Sequence, residues 1–184
     1  MTDFYLSNEV AKGIVNNYWE FENAPGLEKI KVKSAYIKYE GKLLTVKMPF
    51  DIVTEFWCME EGFPVNVSMH LYDINNTCIF NISTINKSLE KGLHKAVFHI
   101  PADFMNDGNY YVSNYFVTAS KSYFVHENAN SFITSFKPYF IQERANSFEI
   151  ADDRENTGWY GKWTGAIRPM FIQNDYHLIA TLEK

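Results

Sequence analysis

What the chain lacks narrows its function first. In 184 residues no apolar run reaches the roughly 20 needed to cross a bilayer. The opening Met1-Thr2-Asp3-Phe4-Tyr5-Leu6-Ser7 has no basic stretch followed by an apolar one, so no secretory leader is expected. Cysteine is scarce. Cys58 and Cys78 both fall in strand-like apolar runs, and two thiols cannot frame a disulfide scaffold; free buried thiols in a reducing compartment are expected. The N-x-S/T triplets at Asn66, Asn75, Asn81 and Asn86 then read as chance in an Asn-rich chain. Basic charge is short too: 17 Lys and Arg against 22 Asp and Glu leave a net charge of -5. A phosphate-backbone binder rests on Lys/Arg clusters, so no nucleic-acid partner is expected.

Chemistry-bearing motifs are equally absent. There is no GxxxxGK[ST] or GxGxxG loop to cradle phosphates, and no HExxH, CxxC or GxSxG. The five histidines (His70, His94, His99, His126, His177) are scattered, and His94 and His99 would face opposite sides of one strand. Asp152-Asp153-Arg154-Glu155 lacks the alternating ligand spacing of a calcium loop and reads as a solvated turn. No cofactor or metal is expected. A two-carboxylate glycosidase leaves no local motif, and Glu55 beside Trp57 is the kind of residue such a site uses.

What is abundant is aromatic: 12 Tyr, 15 Phe and 4 Trp make 17% of the chain. Large rings favour strands and binding surfaces over solvated helices. Residues 1–26 read as an arm, with a short helix predicted over Glu9–Trp19 from Val10, Ile14 and Tyr18 on one face, ended by Ala24-Pro25-Gly26. From Lys29 the hydrophobic period becomes two. Lys29–Tyr39 sets Ile30, Val32, Ala35 and Ile37 inward; Phe50–Met59 sets Phe50, Ile52, Phe56 and Cys58; Val65–Tyr72 sets Val65, Val67, Met69 and Leu71. Cys78–Ser83, Leu93–Ile100 and Tyr110–Thr118 follow between turns such as Glu61-Gly62, Asp73–Asn76 and Asn106-Asp107-Gly108. Seven to nine short strands with regular turns predict an all-β fold, an antiparallel β-sandwich over 27–184. Residues 119–157 are less regular, with an echo of Glu127–Phe132 in Glu143–Phe148 too short for a repeat architecture.

Parity suggests a site. With the apolar positions inward, the third run shows Asn66, Ser68, His70 and Tyr72 on its other face. The sixth buries Tyr110, Val112 and Phe116 and turns Tyr111, Ser113 and Tyr115 outward. In a seven-strand sandwich these two runs are neighbours in one sheet, so their outward faces join. Rings interleaved with hydroxyl, amide and imidazole groups suit a sugar, whose C–H faces stack on aromatics while polar groups fix its hydroxyls. Each Tyr taken singly reads as well as a strand former. Trp57 is outward on the other sheet, where the arm or a second copy could cover it. Gly158–Gly165, with Trp159, Tyr160 and Trp163, suits a binding loop or a loop folded back over the sandwich end.

The order of features resembles the C-terminal domain of Wzt-type ATPases, subunits of ABC transporters that export O-antigen and related polysaccharides. The resemblance runs over about residues 19–171. It rests on Trp19-Glu20-Phe21-Glu22-Asn23-Ala24-Pro25-Gly26, Pro49-Phe50-Asp51-Ile52, Leu71-Tyr72-Asp73-Ile74-Asn75-Asn76, Ile100-Pro101 through Asn106-Asp107-Gly108-Asn109-Tyr110, Asn146–Asp152 and Gly165-Ala166-Ile167-Arg168-Pro169. It implies an immunoglobulin-like sandwich that binds the exported polysaccharide without catalysis, at the inner face of the cytoplasmic membrane. The implied partners are the ATPase domain, the membrane subunit and a second copy in a homodimer. Phe171, Ile172, Leu178 and Ile179 in Met170–Leu182 could pair along a neighbour's sheet edge, exchanging the C-terminal strand. No Walker motif precedes the resemblance, which suggests an excised domain or a stand-alone relative; 119–140 reads as an insertion, and Phe171-Ile172-Gln173 replaces the family's usual Trp. A sandwich that binds polypeptide through the same Tyr face, or a glycoside hydrolase, stays open beside this reading.

Overall fold

A computed structural model describes residues 14–118, 137–153 and 165–168. Among the described residues nine strands form two antiparallel sheets: β1 (Asn17–Tyr18), β2 (Ile30–Lys38), β3 (Phe50–Cys58), β4 (Phe63–Asp73), β5 (Cys78–Ser83), β6 (Lys87–Leu89), β7 (Gly92–Ile100), β8 (Gly108–Thr118) and β9 (Lys137–Ile150). One sheet has the order β1-β2-β3-β7 and the other β5-β4-β8-β9, with β6 beside β5 on the free edge of β4. A single 3-10 turn, Phe21–Asn23, is the one helical element among the described residues. The chain changes sheet between β3 and β4, between β6 and β7, and again between β7 and β8, as in an immunoglobulin-like sandwich.

The six alternating runs of the sequence are six of these strands. Every inward residue predicted for β2, β3 and β4 is buried, as are Tyr110, Val112 and Phe116 of β8. The phase break between Val32 and Ala35 is a β-bulge: the β2–β3 register shifts between Val32 and Ser34, which puts Ala35 back inside. Between the sheets, Phe116 meets Phe56 edge-on at 5.0 Å, and Phe148 meets Phe50 at 5.3 Å. One polar pin crosses this core, where Asn114 Nδ2 donates to Thr54 Oγ1 at 2.8 Å. The 39–49 loop plugs one end with Leu44 and Val46, tied by backbone bonds to Ala151. Beside it buried Arg168 donates to Asn106 Oδ1 and Asp152 Oδ1, so Asp152 is spent on an ion pair, as Asp153 is on Lys47 at 3.3 Å.

Three expectations change. The arm is not helical where it is described: Asn17–Tyr18 pairs with Ser34 and Ala35, and Val15 bridges Ser147 in β9, so the arm straddles both sheets. Asn16 Oδ1 accepts the Ile37 N–H and Asn17 Nδ2 donates to the Ala145 carbonyl; short amide side chains favour such exits from helix. Gly26 closes the arm against β2, where a Cβ would fall inside the Ile30 carbonyl. Cys78 is exposed at the sheet margin, while Cys58 is buried; both are free. The region past 136, irregular in sequence, holds β9, the longest strand among the described residues, whose register shifts twice against β8 and so loses its alternation. The predicted helix before residue 14, the echo at 127–132, the Trp159–Trp163 loop and the Met170–Leu182 run lie outside the described residues.

The Thr54–Asn114 pin gives a test. Thr54→Val strands the buried amide and is expected to cost about 1–3 kcal/mol, whereas Thr54→Val with Asn114→Leu recovers most of that loss. Urea midpoints of the two variants check it; a double variant less stable than the single one contradicts the pin.

Candidate functional site

The register of β4 on β8 assembles the face that parity predicted. Asn66 faces Val117, Ser68 faces Tyr115, His70 faces Ser113 and Tyr72 faces Tyr111. Facing residues of an antiparallel pair share one side of the sheet, within reach of each other's rings. The rings form a continuous row. Tyr111 stacks on Tyr72 at 5.0 Å and 8°, Tyr72 lies 6.3 Å from His70, and His70 stacks on Tyr115 at 4.0 Å. The Tyr72 and Tyr115 hydroxyls close the row at 3.3 Å. That bond and burial push the Tyr72 hydroxyl well above its ordinary range, so it stays a neutral donor and acceptor.

Two members are covered. Tyr111 is only 8% exposed, because the Arg144 guanidinium lies 4.1 Å over its other face, while its hydroxyl donates to Asn76 Oδ1 at 2.9 Å. Ser113 is 4% exposed, its Oγ accepting the Arg144 N–H at 3.2 Å. Outward parity holds for both, yet β9 folds Arg144 across them. His70, Tyr72, Tyr115, Asn66 and Ser68 are half-buried, and Asn66 Oδ1 is turned away from solvent without a partner.

Local chemistry holds this corner. Asp73 accepts the N–H groups of Asn75 and Thr77, both at 2.8 Å, an Asx turn that keeps its carboxyl below the usual range. The turn carries Asn76 at φ 64, a left-handed conformation that asparagine tolerates. Asn76 Oδ1 then receives both the Tyr111 hydroxyl and Arg144 Nη2. On the other side β5 adds exposed Asn81 opposite His70, Ser83 opposite Ser68 and Cys78 opposite Tyr72. Sequence reasoning missed Asn81 and Ser83, although counting back across the short 73–78 turn places them. It also missed Asn76 and Arg144, which β9's broken alternation conceals.

The other sheet's outer face is organised differently. Glu55 accepts from the Ser34 and Tyr36 hydroxyls and pairs with Lys33 and Lys95, both at 3.5 Å. Asp51, four positions along the same strand, is about 13 Å away by strand rise. Trp57 is outward and half-buried, with Phe21 of the arm edge-on at 5.1 Å. His94 and His99 lie on opposite sides, His94 stacked on Phe56 and His99 at 2.7 Å from Asp51. His126 and His177 lie outside the described residues.

No protein-family profile matches the chain, and no curated protein does. Among solved structures, the C-terminal domain of Wzt superposes over 86% of this chain and 91% of its own, with a TM-score of 0.55 at 14% identity. The fold is therefore that of the Wzt C-terminal domain. A β-D-mannosidase from Dictyoglomus thermophilum overlaps 62% of this chain and 16% of its own at 13% identity, with a TM-score of 0.37, too low to carry an argument.

Burial on the ring row lowers the His70 imidazole below its ordinary value, so the unfolded chain binds that proton more tightly. The His70 contribution to stability is complete above about pH 6.5, the unfolded value, and is lost as pH falls below it. His70→Gln is expected to lose less melting temperature than wild type between about pH 7 and pH 5; equal pH slopes in calorimetric melts contradict it.

Proposed function

We propose that this chain is a non-catalytic carbohydrate-binding module, with the outward face of β4 and β8 as its site and a bacterial surface polysaccharide as its ligand. The observation that carries the reading is the row His70–Tyr72–Tyr115, three half-exposed rings bordered by Asn66, Ser68, Asn81 and Ser83. A pyranose laid along the row packs its C–H groups against the parts of the rings that mutual stacking leaves open, and the neutral amides and hydroxyls satisfy its hydroxyls without the desolvation cost of charges. Tyr111 and Ser113 take a supporting part, holding Tyr72 and Arg144 rather than the sugar.

The fold shared with the Wzt C-terminal domain supports a role beside an ABC exporter of O-antigen-like glycan, in contact with its ATPase domain and membrane subunit. On this reading residues 27–184 are the binding domain and 1–26 its arm or linker, the protein works at the inner face of the cytoplasmic membrane, and two copies associate through exchange of the C-terminal strand. Glu55 argues against a hydrolase: hydroxyls and two lysines engage it, and Asp51 is too far for the ~5–9.5 Å spacing of paired glycosidase carboxylates.

Calorimetry with the source bacterium's surface polysaccharide tests the site. Tyr72→Ala and Tyr115→Ala are each expected to weaken binding about tenfold, the ~1.4 kcal/mol of one ring-face contact, with the melting temperature held. Binding that survives both changes moves the site; no binding by folded protein favours a polypeptide ligand for the same face. Deleting residues 170–184 is expected to leave monomeric or insoluble protein, and a clean dimer by light scattering after that deletion would contradict strand exchange.

A further inference from the structure

Arg144 stands where the backbone would rather have glycine. Register shifts between Val112 and Asn114 make a bulge of β9, and Arg144 sits there at φ 47. A left-handed residue in a bulge is ordinarily Gly, and a residue with a Cβ is strained there. The side chain is nonetheless held in one pose, stacked at 4.1 Å on Tyr111 and donating from Nη2 to Asn76 Oδ1 at 3.0 Å. It is exposed, and among the described residues no carboxylate reaches it within ion-pair distance. Most of its five N–H donors therefore remain free beside the ring row.

The surroundings make that charge conspicuous. Asn66, Ser68, Asn81, Ser83 and the tyrosine hydroxyls are uncharged. The Asp73 carboxylate, the nearest acid in the turn, faces its own backbone N–H groups. A guanidinium pre-set by a ring and an amide oxygen is a fork for two oxygens of one anion. Strain retained beside a binding face is where function is to be sought.

Resting on the glycan-binding reading above, we propose that the ligand is an acidic sugar: Arg144 forks onto a carboxylate or phosphate substituent while the adjoining ring lies against Tyr72 and Tyr115. The two sources share an anionic pair of oxygens and differ in how each is removed.

The test titrates the source bacterium's surface polysaccharide untreated, carboxyl-reduced, and freed of phosphate with hydrofluoric acid, against wild type and Arg144→Gly. One of the two treatments is expected to lower wild-type affinity about tenfold, and the treatment that does so names the anion. Arg144→Gly is expected to lose about the same factor on untreated glycan, to bind the sensitive treated glycan as wild type does, and to melt no earlier than wild type by more than a few degrees, since glycine suits φ 47. Arg144→Lys, charged but without the fork, falls between them. Wild-type binding indifferent to both treatments, or unchanged in Arg144→Gly, overturns the acidic-sugar assignment alone. Untreated glycan that does not bind wild type overturns it together with the glycan-binding reading.

Discussion

The antiparallel pairing of β4 with β8 decides at once what this molecule buries and what it displays. Tyr72 against Tyr111, His70 against Ser113 and Ser68 against Tyr115 lie on one side; Val67 against Phe116 and Leu71 against Val112 lie on the other. A slip of one residue would send rings inside and aliphatics outside, so the core's demand for burial enforces the order of the outer row. The stacking of Tyr111, Tyr72, His70 and Tyr115 is thus a by-product of a register fixed by hydrophobic burial on the opposite face.

A second constraint turns this row into a site with direction. β9 pairs with the far edge of β8, and its bulge brings Arg144 over Tyr111 and Ser113. The Asp73 turn brings Asn76 to the same point from the end of β4 beside Tyr72. One end of the row is closed and cationic, while the other, at Tyr115 and Ser68, is open and neutral. A ligand meeting this face has charge to satisfy at one end and ring surface along the rest.

Most of the sandwich was legible in the sequence, because alternation survives wherever a strand is straight. β2 is instructive: its bulge near Lys33 shifts the phase, yet enough apolar positions flank it for the strand to stand out. β9 has two register shifts in 14 residues and buries polar Gln142 and Asn146, so neither period nor hydropathy betrays it. That single omission propagates. Without β9 there is no Arg144 to cover Tyr111 and Ser113, and both look exposed by parity. The arm misled for a different reason: Val10, Ile14 and Tyr18 have helical spacing, but Asn16 and Asn17 make tertiary hydrogen bonds that hold the described part extended. Local pattern carries the strands; the closing of the site depends on contacts more than 30 residues apart in the chain.

The two outer faces offer a built-in comparison. That of β2, β3 and β7 spends Glu55 on lysines and hydroxyls and sets Phe21 edge-on against a half-buried Trp57, whereas that of β4 and β8 lines up three half-buried rings with neutral amides and hydroxyls. Nuclear magnetic resonance of the isotope-labelled protein titrated with the surface polysaccharide separates them directly. The account predicts shifts concentrated on the ring resonances of His70, Tyr72 and Tyr115 and on the amides of Asn81 and Ser83, with Trp57 and its neighbours still. Shifts concentrated around Trp57, Tyr36 and Lys95, or none anywhere at saturating glycan, would contradict it.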